Sequence, residues 1–529
     1  MRLAAIAAAV AASTTLAVAG PAQAATPSWH GGDPEHIKVL TAALDTMTKN
    51  YATLSRSALG PQDVFDYNIG ELWKHGIDGT GTTVAVIEGW DDPQIASVAH
   101  NFDQKLGLPD PQIQTIYPSG DGHLPAVCPP GMVALGSYGS CDAWAGELRL
   151  DVLAVHLMAP YAKILISATP ADSEITDDAA SQVAPPEMMQ AVAYIASHHL
   201  ADAMSISDGT GESTYSHGPR EITAQDPGLL TAAAAGVPVM VATGDCGVVQ
   251  NLAVASSQCG NTTTVPSTAA WDDSPWVTAI GGTVPNFDAT GARKGPDPIW
   301  HAGKFSEGAG LSDVYSRPSY QDGVKSVTDS KMRSVPDITM DASDGTSEAA
   351  PLFAGVLALG AQLNHGAVGP VNKLLYELGP LGAKAGIADV VSGNNSFQNG
   401  TVNVPGFSAA PGFDVASGWG TIDASRFLPA LLAASHLQNP FTSMQAQARQ
   451  ALDRLQHNIK VTGRQVQAAG YLPEHPVQLA VDGKQIATVT ADDNGSVTYT
   501  IDPTHLRPGN HRITLSSMLL TSTADFRSH

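Results

Sequence analysis

The sequence predicts an α/β protein with a doubly wound parallel sheet, followed by a small all-β domain. Two observations carry this prediction. Between residues 83 and 282, short continuous apolar runs alternate with longer helix-like segments, as in parallel sheets that are buried on both faces. Beyond residue 458, apolar and polar residues alternate between Gly-containing turns, which is typical of antiparallel strands. A chain of 529 residues has room for one large and one small domain.

Composition narrows the classes of partner. The chain is 43% hydrophobic and 15% charged, so it can bury a sizeable core and is not disordered by composition. The formal net charge is −23. Because such a surface repels phosphate groups, we expect no nucleic-acid partner and no binding to an anionic membrane.

The first residues predict export. Met1-Arg2-Leu3 leads into an apolar run over 4–19, and Ala22-Gln23-Ala24 offers a small-x-small cleavage site, so residues 1–24 are predicted to be a signal peptide. A membrane anchor is the alternative, but the run is short and alanine-rich and no second span follows. We therefore expect a secreted, extracellular protein. Residues 25–58 are expected to form a short N-terminal arm or vestigial pro-segment with a helix over 37–54.

Four cysteines follow the signal peptide, at Cys128, Cys141, Cys246 and Cys259. An even count in an exported protein favours disulfides over free thiols. Three pairings are possible, and proximity in the sequence favours Cys128–Cys141 and Cys246–Cys259.

The elements of the large domain follow in order. Strands are predicted over 83–87, 163–168, 203–207, 238–242 and 277–282, and helices over 94–107, 142–158, 186–198, 229–235, 352–363 and 425–437. Glu88 is expected to end the first strand. In such a sheet, functional sites lie at the carboxyl ends of the strands.

Two carboxylates occur on the largely apolar helix predicted over 142–158. Glu147 and Asp151 are four residues apart and therefore share one helix face. Burial of both would be costly, because the like charges repel each other. The alternative is a solvated polar stripe with Arg149 nearby, although the apolar flanks of Asp151 argue against it.

Two loops after predicted strands carry further candidates. Ser207-Asp208-Gly209 follows one strand, and Thr243-Gly244-Asp245 follows another. Asp245 lies between two glycines, so its carboxyl can reach into a cleft. An Asx-turn aspartate is the alternative.

A serine opens the most apolar helix. Gly345 allows a backbone conformation that is closed to residues with a Cβ, and Ser347 follows it at the predicted start of the helix. Backbone N–H groups there favour developing negative charge, which suits a nucleophile. Pro351 is expected in the first turn, where its missing N–H costs nothing. An ordinary Ser N-cap is the alternative.

The end of the large domain offers oxygen ligands. Asp389 and Asp414 flank a loop that is rich in Gly, Asn and Pro. Two carboxylates with free carbonyls suit a hard cation such as calcium, and a plain polar loop is the alternative. A polar helical linker is predicted over 438–457, and an all-β sandwich over 458–529.

The ordered set of motifs resembles the sedolisin family, the serine-carboxyl peptidases, from about Phe65 to Leu432. The motifs similar to the family are Glu147-x-x-x-Asp151, Thr243-Gly244-Asp245, Gly281-Gly282-Thr283, the stretch 310–315, the stretch 318–321, the Arg-x-x-Pro-Asp stretch at 333–337, and Gly345-Thr346-Ser347 with Pro351. The resemblance implies a subtilisin-like catalytic domain over 59–437. It also implies a calcium site formed by Asp389, Asp414 and the carbonyls of Val390, Ala410 and Gly412. The all-β domain resembles bacterial Ig-like modules, and this resemblance predicts a cell-surface or polymer ligand for it.

The resemblance implies a secreted endopeptidase that acts in acid on protein or peptide substrates through an acyl-enzyme. Ser347 would be the nucleophile, Glu147 the general base and acid, Asp151 the group that orients it, and Asp245 a protonated oxyanion donor. A glutamate base, with an ordinary pKa of about 4.3, stays useful in acid where a histidine is protonated.

Three features depart from the family pattern. Asp344 and Glu348 replace small residues beside the nucleophile. Asp208 stands where some members carry a tryptophan, although Glu88 matches the glutamate of those members. The long pro-domain of the family is missing. One rival is a subtilisin-type enzyme, but its catalytic His motif and its Asp after the first strand are absent. The other rival is an inactive peptidase-like scaffold that binds through its β-sandwich, although all four catalytic positions are filled.

Overall fold

The structure is a computed structural model that describes residues 32–55, 59–118, 128, 133–134, 139–170, 184–252, 258–400, 402–439 and 443–528. The predicted signal peptide lies outside the described residues, so it stays a prediction.

Seven parallel strands form the central sheet. They are β1 (Thr83–Gly89), β2 (Gln112–Ile116), β3 (Lys163–Thr169), β4 (Ala203–Ile206), β5 (Val239–Ala242), β6 (Thr278–Thr283) and β7 (Ile338–Asp341). Their order across the sheet is β7-β6-β5-β4-β1-β3-β2, and every neighbouring pair is parallel. The sheet grows outward from β1 in both directions, which confirms the predicted parallel α/β architecture.

Helices connect and cover these strands. They are α1 (Pro34–Lys49), α2 (Tyr51–Leu54), α3 (Pro61–Asp66), α4 (Ile69–Trp73), α5 (Ile95–Leu106), α6 (Cys141–Met158), α7 (Glu187–Ser197), α8 (Pro219–Thr223), α9 (Asp226–Ala235), α10 (Lys325–Thr328), α11 (Thr346–Asn364), α12 (Asn372–Leu378), α13 (Ala424–Leu437) and α14 (Met444–Gln456). α6 and α11 pack together on the sheet. Gly355 allows their close approach, because a Cβ there would lie 2.6 Å from the Cβ of Met158.

Short strands and 3-10 turns complete the large domain. The strands are Val133–Ala134, Gly139–Ser140, His301–Ala302, Phe305–Ser306, Gly310–Ser316, Met332–Val335, Ile387–Ala388, Phe397–Asn399, Val402–Val404 and Thr421–Ile422. The 3-10 turns are Glu212–Thr214, Ser319–Val324 and Gly379–Ala385, with a fourth at Pro503–His505 in the C-terminal part.

The predicted N-terminal arm packs on the large domain. Its helix begins at Pro34 rather than residue 37, because Asp33 caps it by accepting from the N–H of Glu35 at 2.9 Å. It breaks after Lys49 into the separate turn α2. One face is buried, and it contains Leu40, Ala43, Leu44 and Met47.

The C-terminal part is all-β, as predicted. Its strands are β8 (Ile459–Thr462), β9 (Gln465–Ala469), β10 (Pro476–Val481), β11 (Lys484–Thr490), β12 (Ser496–Thr500), β13 (Gly509–Ser516) and β14 (Thr521–Ser528). They form two small antiparallel sheets, β8-β9-β12 and β11-β10-β13-β14. One buried cluster contains residues from both sheets, among them Val466, Val497, Leu479 and Ile513. The sandwich and the Ig-like likeness stay predictions.

The predicted helical linker is more than a connector. Ala448 of α14 is buried with Leu230 and Ala233 of α9. Gln445 and Arg449 each donate to the carbonyl of Ala234, at 3.2 and 3.0 Å. α14 therefore covers apolar surface of the large domain.

Both disulfides join the pairs that sequence proximity favours, Cys128 with Cys141 and Cys246 with Cys259. Among the described residues, no helix combines the length and apolar character that a membrane span requires.

Candidate active site

Three of the four predicted catalytic residues, Ser347, Glu147 and Asp245, line one cleft at the carboxyl ends of β4 and β5, and Asp151 is buried behind it. The cleft encloses about 390 Å³. Its lining includes Trp144, Glu147, Asp208, Asp245, Asp344 and Ser347. Parallel strands present their carboxyl ends at one edge of a sheet, so residues far apart in the chain come together here.

Ser347 is the second residue of α11 and is half-buried at the cleft. Gly345 precedes it with φ of 96°, a region that favours glycine. A Cβ at this position would also lie 2.8 Å from Oδ2 of Asp245. Glycine is therefore needed both for the turn and for the close approach of the aspartate.

Pro351 lies inside α11, not in its first turn as the sequence predicts, because the helix already begins at Thr346. A residue with an N–H at position 351 would donate to the carbonyl of Ser347, four residues earlier. Proline cannot do this. The hydroxyl of Ser207 lies 3.2 Å from that carbonyl oxygen and can donate to it instead.

The two carboxyls of α6 point toward α11. Asp151 is fully buried, and Oε1 of the half-buried Glu147 is screened from solvent. Glu147 and Ser347 line the same cleft, and the serine hydroxyl is close enough to lower the pKa of the Glu147 carboxyl. Burial of Asp151 excludes the solvated-stripe alternative, and Arg149 instead pairs with Asp92, Nε to Oδ2 at 2.7 Å.

Burial makes both carboxyls hold protons more tightly. It raises the pKa of Glu147 to about 7, although the nearby Ser347 hydroxyl lowers it, and Asp245 and Asp344 add to the rise. The pKa of Asp151 lies well above its usual range because of burial and the nearby Glu147, and the hydrogen bond from Ser207 opposes this. Sequence reasoning used the ordinary pKa of glutamate, which a desolvated carboxyl does not keep.

Glu88 and Asp208 extend this carboxyl pair to a group of four. Glu88 lies within β1 rather than after it, is fully buried, and is close enough to Asp151 and Asp208 to change the pKa values of both. Burial and the neighbouring carboxyls raise its pKa well above the usual range. Buried carboxyls this close together titrate as a coupled group, and burial favours their protonated forms. Asp208 lines the cleft, so this group of four carboxyls reaches the cleft surface.

Asp245 lies on the loop after β5, beside the nucleophile. Its Oδ1 accepts from the N–H of Thr346 at 2.8 Å and from the hydroxyl of Thr346 at 3.0 Å, and its Oδ2 accepts from Gln258. Burial raises the pKa of Asp245, and these hydrogen bonds limit the rise because they favour the charged form. The Cys246–Cys259 disulfide joins the residues next to Asp245 and Gln258.

Three supporting residues carried no predicted role: Ser207, Thr346 and Gln258. The hydroxyl of Ser207 donates to both carboxylate oxygens of Asp151, at 2.9 and 2.8 Å. The hydroxyl of Thr346 also accepts from the N–H of Gly244 at 2.9 Å. Ser207 directly follows β4, so its place at a strand end was a usable signal. Nothing in the sequence placed Gln258 near Asp245.

The two unusual residues beside the nucleophile differ in environment. Asp344 is exposed at the cleft, whereas Glu348 is fully buried. Oε2 of Glu348 accepts from the N–H of Asp344 at 2.9 Å, which closes the loop around Ser347.

The predicted calcium ligands lie together on neighbouring loops. Oδ2 of Asp389 accepts from the N–H of Gly412 at 2.9 Å, and Oδ2 of Asp414 accepts from the N–H of Ala410 at 2.7 Å. Val390 adjoins Asp389 and is buried. The set offers only oxygen atoms, from two carboxylates and backbone carbonyls, which is the donor chemistry that calcium prefers.

Comparisons with known proteins agree with this geometry. Kumamolisin from Bacillus sp. (strain MN-32) is 29% identical over 392 residues, which cover 69% of this chain and 62% of kumamolisin. Tripeptidyl-peptidase 1 from Bos taurus is 30% identical over 250 residues, which cover 40% of this chain and 39% of that protein. The chain thus covers less than two thirds of the length of either relative. No family model matches the chain.

A solved structure of Pseudomonas sedolisin, described as a serine-carboxyl proteinase complexed with two molecules of pseudo-iodotyrostatin, superposes with a TM-score of 0.54. Its identity is 25%, and the alignment covers 68% of this chain and 94% of that chain. Together these likenesses support a peptidase with a subtilisin-like fold. They support, more specifically, the sedolisin family of serine-carboxyl peptidases.

Proposed function

We propose that the protein is a secreted serine-carboxyl endopeptidase that acts on the acid side of neutral pH. The observation that carries the proposal is that Ser347, Glu147 and Asp245 line one cleft at the glycine turn, where the serine hydroxyl acts on the pKa of Glu147. A buried carboxyl with a pKa of about 7 is a suitable proton acceptor for a serine hydroxyl near that pH. Secretion rests on the predicted signal peptide and the two disulfides.

In the first half of the proposed reaction, Oγ of Ser347 attacks the carbonyl carbon of the scissile peptide bond while its proton passes to ionised Glu147. The resulting oxyanion accepts a hydrogen bond from protonated Asp245. As the C–N bond breaks, Glu147 gives its proton to the leaving amine, and an ester remains on Ser347. Water then attacks this ester with Glu147 again as the base, which releases the acid and restores the serine.

Asp151, Ser207 and Glu88 support this chemistry without touching the substrate. Asp151 orients Glu147 from the next turn of α6, and Ser207 fixes Asp151. In this proposal, Asp389 and Asp414, with the carbonyls of Val390, Ala410 and Gly412, would hold a structural calcium ion. The all-β domain takes no part in the chemistry, and a cell-surface or polymer ligand for it stays a prediction.

The inactive-scaffold alternative has no observation in its favour, because the nucleophile, the base and the oxyanion aspartate are all present in one cleft. Digestion of a peptide library between pH 3 and 8 tests the proposal. The protein should cleave internal bonds, and mass spectrometry after acid quenching should find an acyl adduct on Ser347.

Ser347→Ala is the matched control, since it removes only the attacking oxygen. It should keep the fold and lose hydrolysis and the adduct. Equal turnover by a folded Ser347→Ala protein would remove the assignment. Successive release of tripeptides, as the name of one relative suggests, would overturn only the endopeptidase part.

A further inference from the structure

Three buried carboxyls meet beside the nucleophile loop but do not line the cleft. Asp63 comes from α3, Asp341 ends β7, and Glu348 lies in the first turn of α11, and none of the three is exposed to solvent. One oxygen from each lies within 4.8 Å of the others. We refer to Asp63, Asp341 and Glu348 as the buried carboxyl cluster.

Each member uses one oxygen to hold backbone and turns the other toward the cluster. Asp63 accepts from the N–H of Gly60 at 2.9 Å, Asp341 from that of Ser343 at 2.9 Å, and Glu348 from that of Asp344 at 2.9 Å. Within the described part of the chain, Oδ1 of Asp63, Oδ2 of Asp341 and Oε1 of Glu348 receive no hydrogen bond from an N–H or hydroxyl group. Three buried carboxylates this close would repel one another if all were charged, and protons or a cation between them would relieve the repulsion.

The surroundings supply no positive charge to the cluster. The titratable groups that face it are Tyr51, Tyr67, Asp297 and Asp344. All of these are neutral or negative. The neighbouring Arg293 is engaged by Asp66 and Asp297 instead. Among the described residues, no lysine or arginine forms an ion pair with the cluster.

Protons are therefore the natural occupants at acid pH. Burial and the like-charged neighbours raise the pKa values of Asp63 and Glu348 well above their usual range. Burial raises the pKa of Asp341 to about 6. An oxygen of Asp63 lies within 4.8 Å of one of Asp341, and a hydrogen bond between two carboxyls needs a proton on one of them.

We propose that the buried carboxyl cluster positions the nucleophile loop 344–348 against α3 by sharing protons, and that the loop loosens when those protons are lost at neutral to alkaline pH. Ser347 is taken as the nucleophile from the proposed function, whereas the measurements below need no peptidase activity. Failure of the two proposals can thus be told apart.

The direction in which pH changes the folding stability follows from proton linkage. In the folded chain these carboxyls keep their protons above the pH at which they ionise in the unfolded chain. Stability from the cluster is thus full below the ordinary pKa values of about 4 and is lost as pH rises toward the folded values. Between its ordinary pKa and its folded pKa, each such carboxyl makes the unfolding constant rise about tenfold per pH unit.

Glu348→Gln is the informative variant. Its amide can still accept from the N–H of Asp344 and can donate into the cluster, but it cannot ionise. Denaturant titrations between pH 4 and 8 give the slope of the logarithm of the unfolding constant against pH. Within the part of that range that lies between the ordinary and the folded pKa of Glu348, this slope should fall by about one. Hydrogen–deuterium exchange, corrected for intrinsic rates, should rise at pH 8 over 59–66 and 341–348 in the natural sequence but not in Glu348→Gln.

Asp226→Asn is the matched control. Asp226 is another buried carboxyl, and burial raises its pKa to about 7, but its partners are Tyr315 and Ser274. This variant should also reduce the slope, yet leave the exchange of 59–66 and 341–348 as in the natural sequence. Asp63→Asn should behave like Glu348→Gln, which guards against a folding defect in one variant.

Two results would overturn the proposal. One is exchange over 59–66 and 341–348 that does not depend on pH, or that rises equally in Glu348→Gln. The other is protection at pH 8 that calcium restores in the natural sequence but not in Glu348→Gln, since a cation rather than protons would then occupy the cluster.

Discussion

Replacement of Asp245 with Asn separates the two limbs of the proposed pH profile. Glu147 must be ionised to accept a proton, and Asp245 must be protonated to donate one. The value of kcat/KM is proportional to the ionised fraction of Glu147 multiplied by the protonated fraction of Asp245. Its pH profile is therefore bell-shaped, with one limb at each of the two pKa values, regardless of which residue has the higher pKa. Burial raises both, that of Glu147 to about 7, while three hydrogen bonds restrain that of Asp245. We expect the optimum on the acid side of neutral.

Asn at position 245 keeps the size and the Oδ1 acceptor that Thr346 uses at 2.8 and 3.0 Å. Its amide is a donor that needs no proton from solution. Gln258 only has to turn its own amide, so that its oxygen faces the new NH₂ group. The alkaline limb should therefore vanish, and kcat/KM should rise with pH to a plateau with a single midpoint near the pKa of Glu147, about 7.

The variant Asp245→Ala shows how much catalysis is lost when the oxyanion donor is removed altogether. Loss of one oxyanion donor costs about 10²–10³ in kcat, or about 2.7–4 kcal/mol. The N–H of Thr346 would also lose its acceptor, which costs about 1–3 kcal/mol of stability. The assay is kcat/KM on a quenched fluorescent peptide from pH 3 to 9, with Tm as the check on folding. An alkaline limb that stays in place in a folded and active Asp245→Asn protein would refute the role of Asp245.

Three further predictions follow from other parts of the molecule. Ser207→Ala should lower kcat, because Asp151 would lose a hydrogen bond that contributes about 0.5–1.5 kcal/mol. An unchanged kcat would contradict the support we assign to Ser207. Chelation of calcium should lower Tm, because calcium at one hundred times its Kd adds about 2.7 kcal/mol to the free energy of unfolding. Asp414→Asn should reduce this response. Equal Tm with and without chelator would contradict the calcium site. A chain that ends near Leu437 should still cleave a small peptide. Its Tm should be lower than that of a chain that ends at residue 457, because α14 covers Leu230 and Ala233. If the shorter chain folds but is inactive, the C-terminal part contributes to the active site.

Much of the fold follows from local pattern. The buried strands and the Glu147–Asp151 spacing predicted where the parallel sheet and the carboxyl pair lie, because burial on both faces and helix periodicity leave strong signals. Disulfide pairing also followed from spacing.

The misses arise from contacts between distant segments. Neither the hydrogen bond from Gln258 to Asp245 nor the meeting of Asp63 with Glu348 has any signal within a window of sequence. The pKa of Glu147 was missed for the same reason, since it depends on how completely α6 and α11 exclude water. The position of Pro351 was wrong because helix ends depend on the glycine turn before them, which propensity alone places poorly.

Pro351 leaves the carbonyl of Ser347 to a hydroxyl that has only one proton. Ser207 can give that proton to Asp151 or to the serine carbonyl, but not to both at once. When Asp151 is ionised, the hydroxyl should rotate toward it and abandon the carbonyl; when Asp151 is neutral, the carbonyl becomes the better acceptor. The backbone of the nucleophile would thereby register the charge of a residue that it does not touch, through the rotation of a single bond.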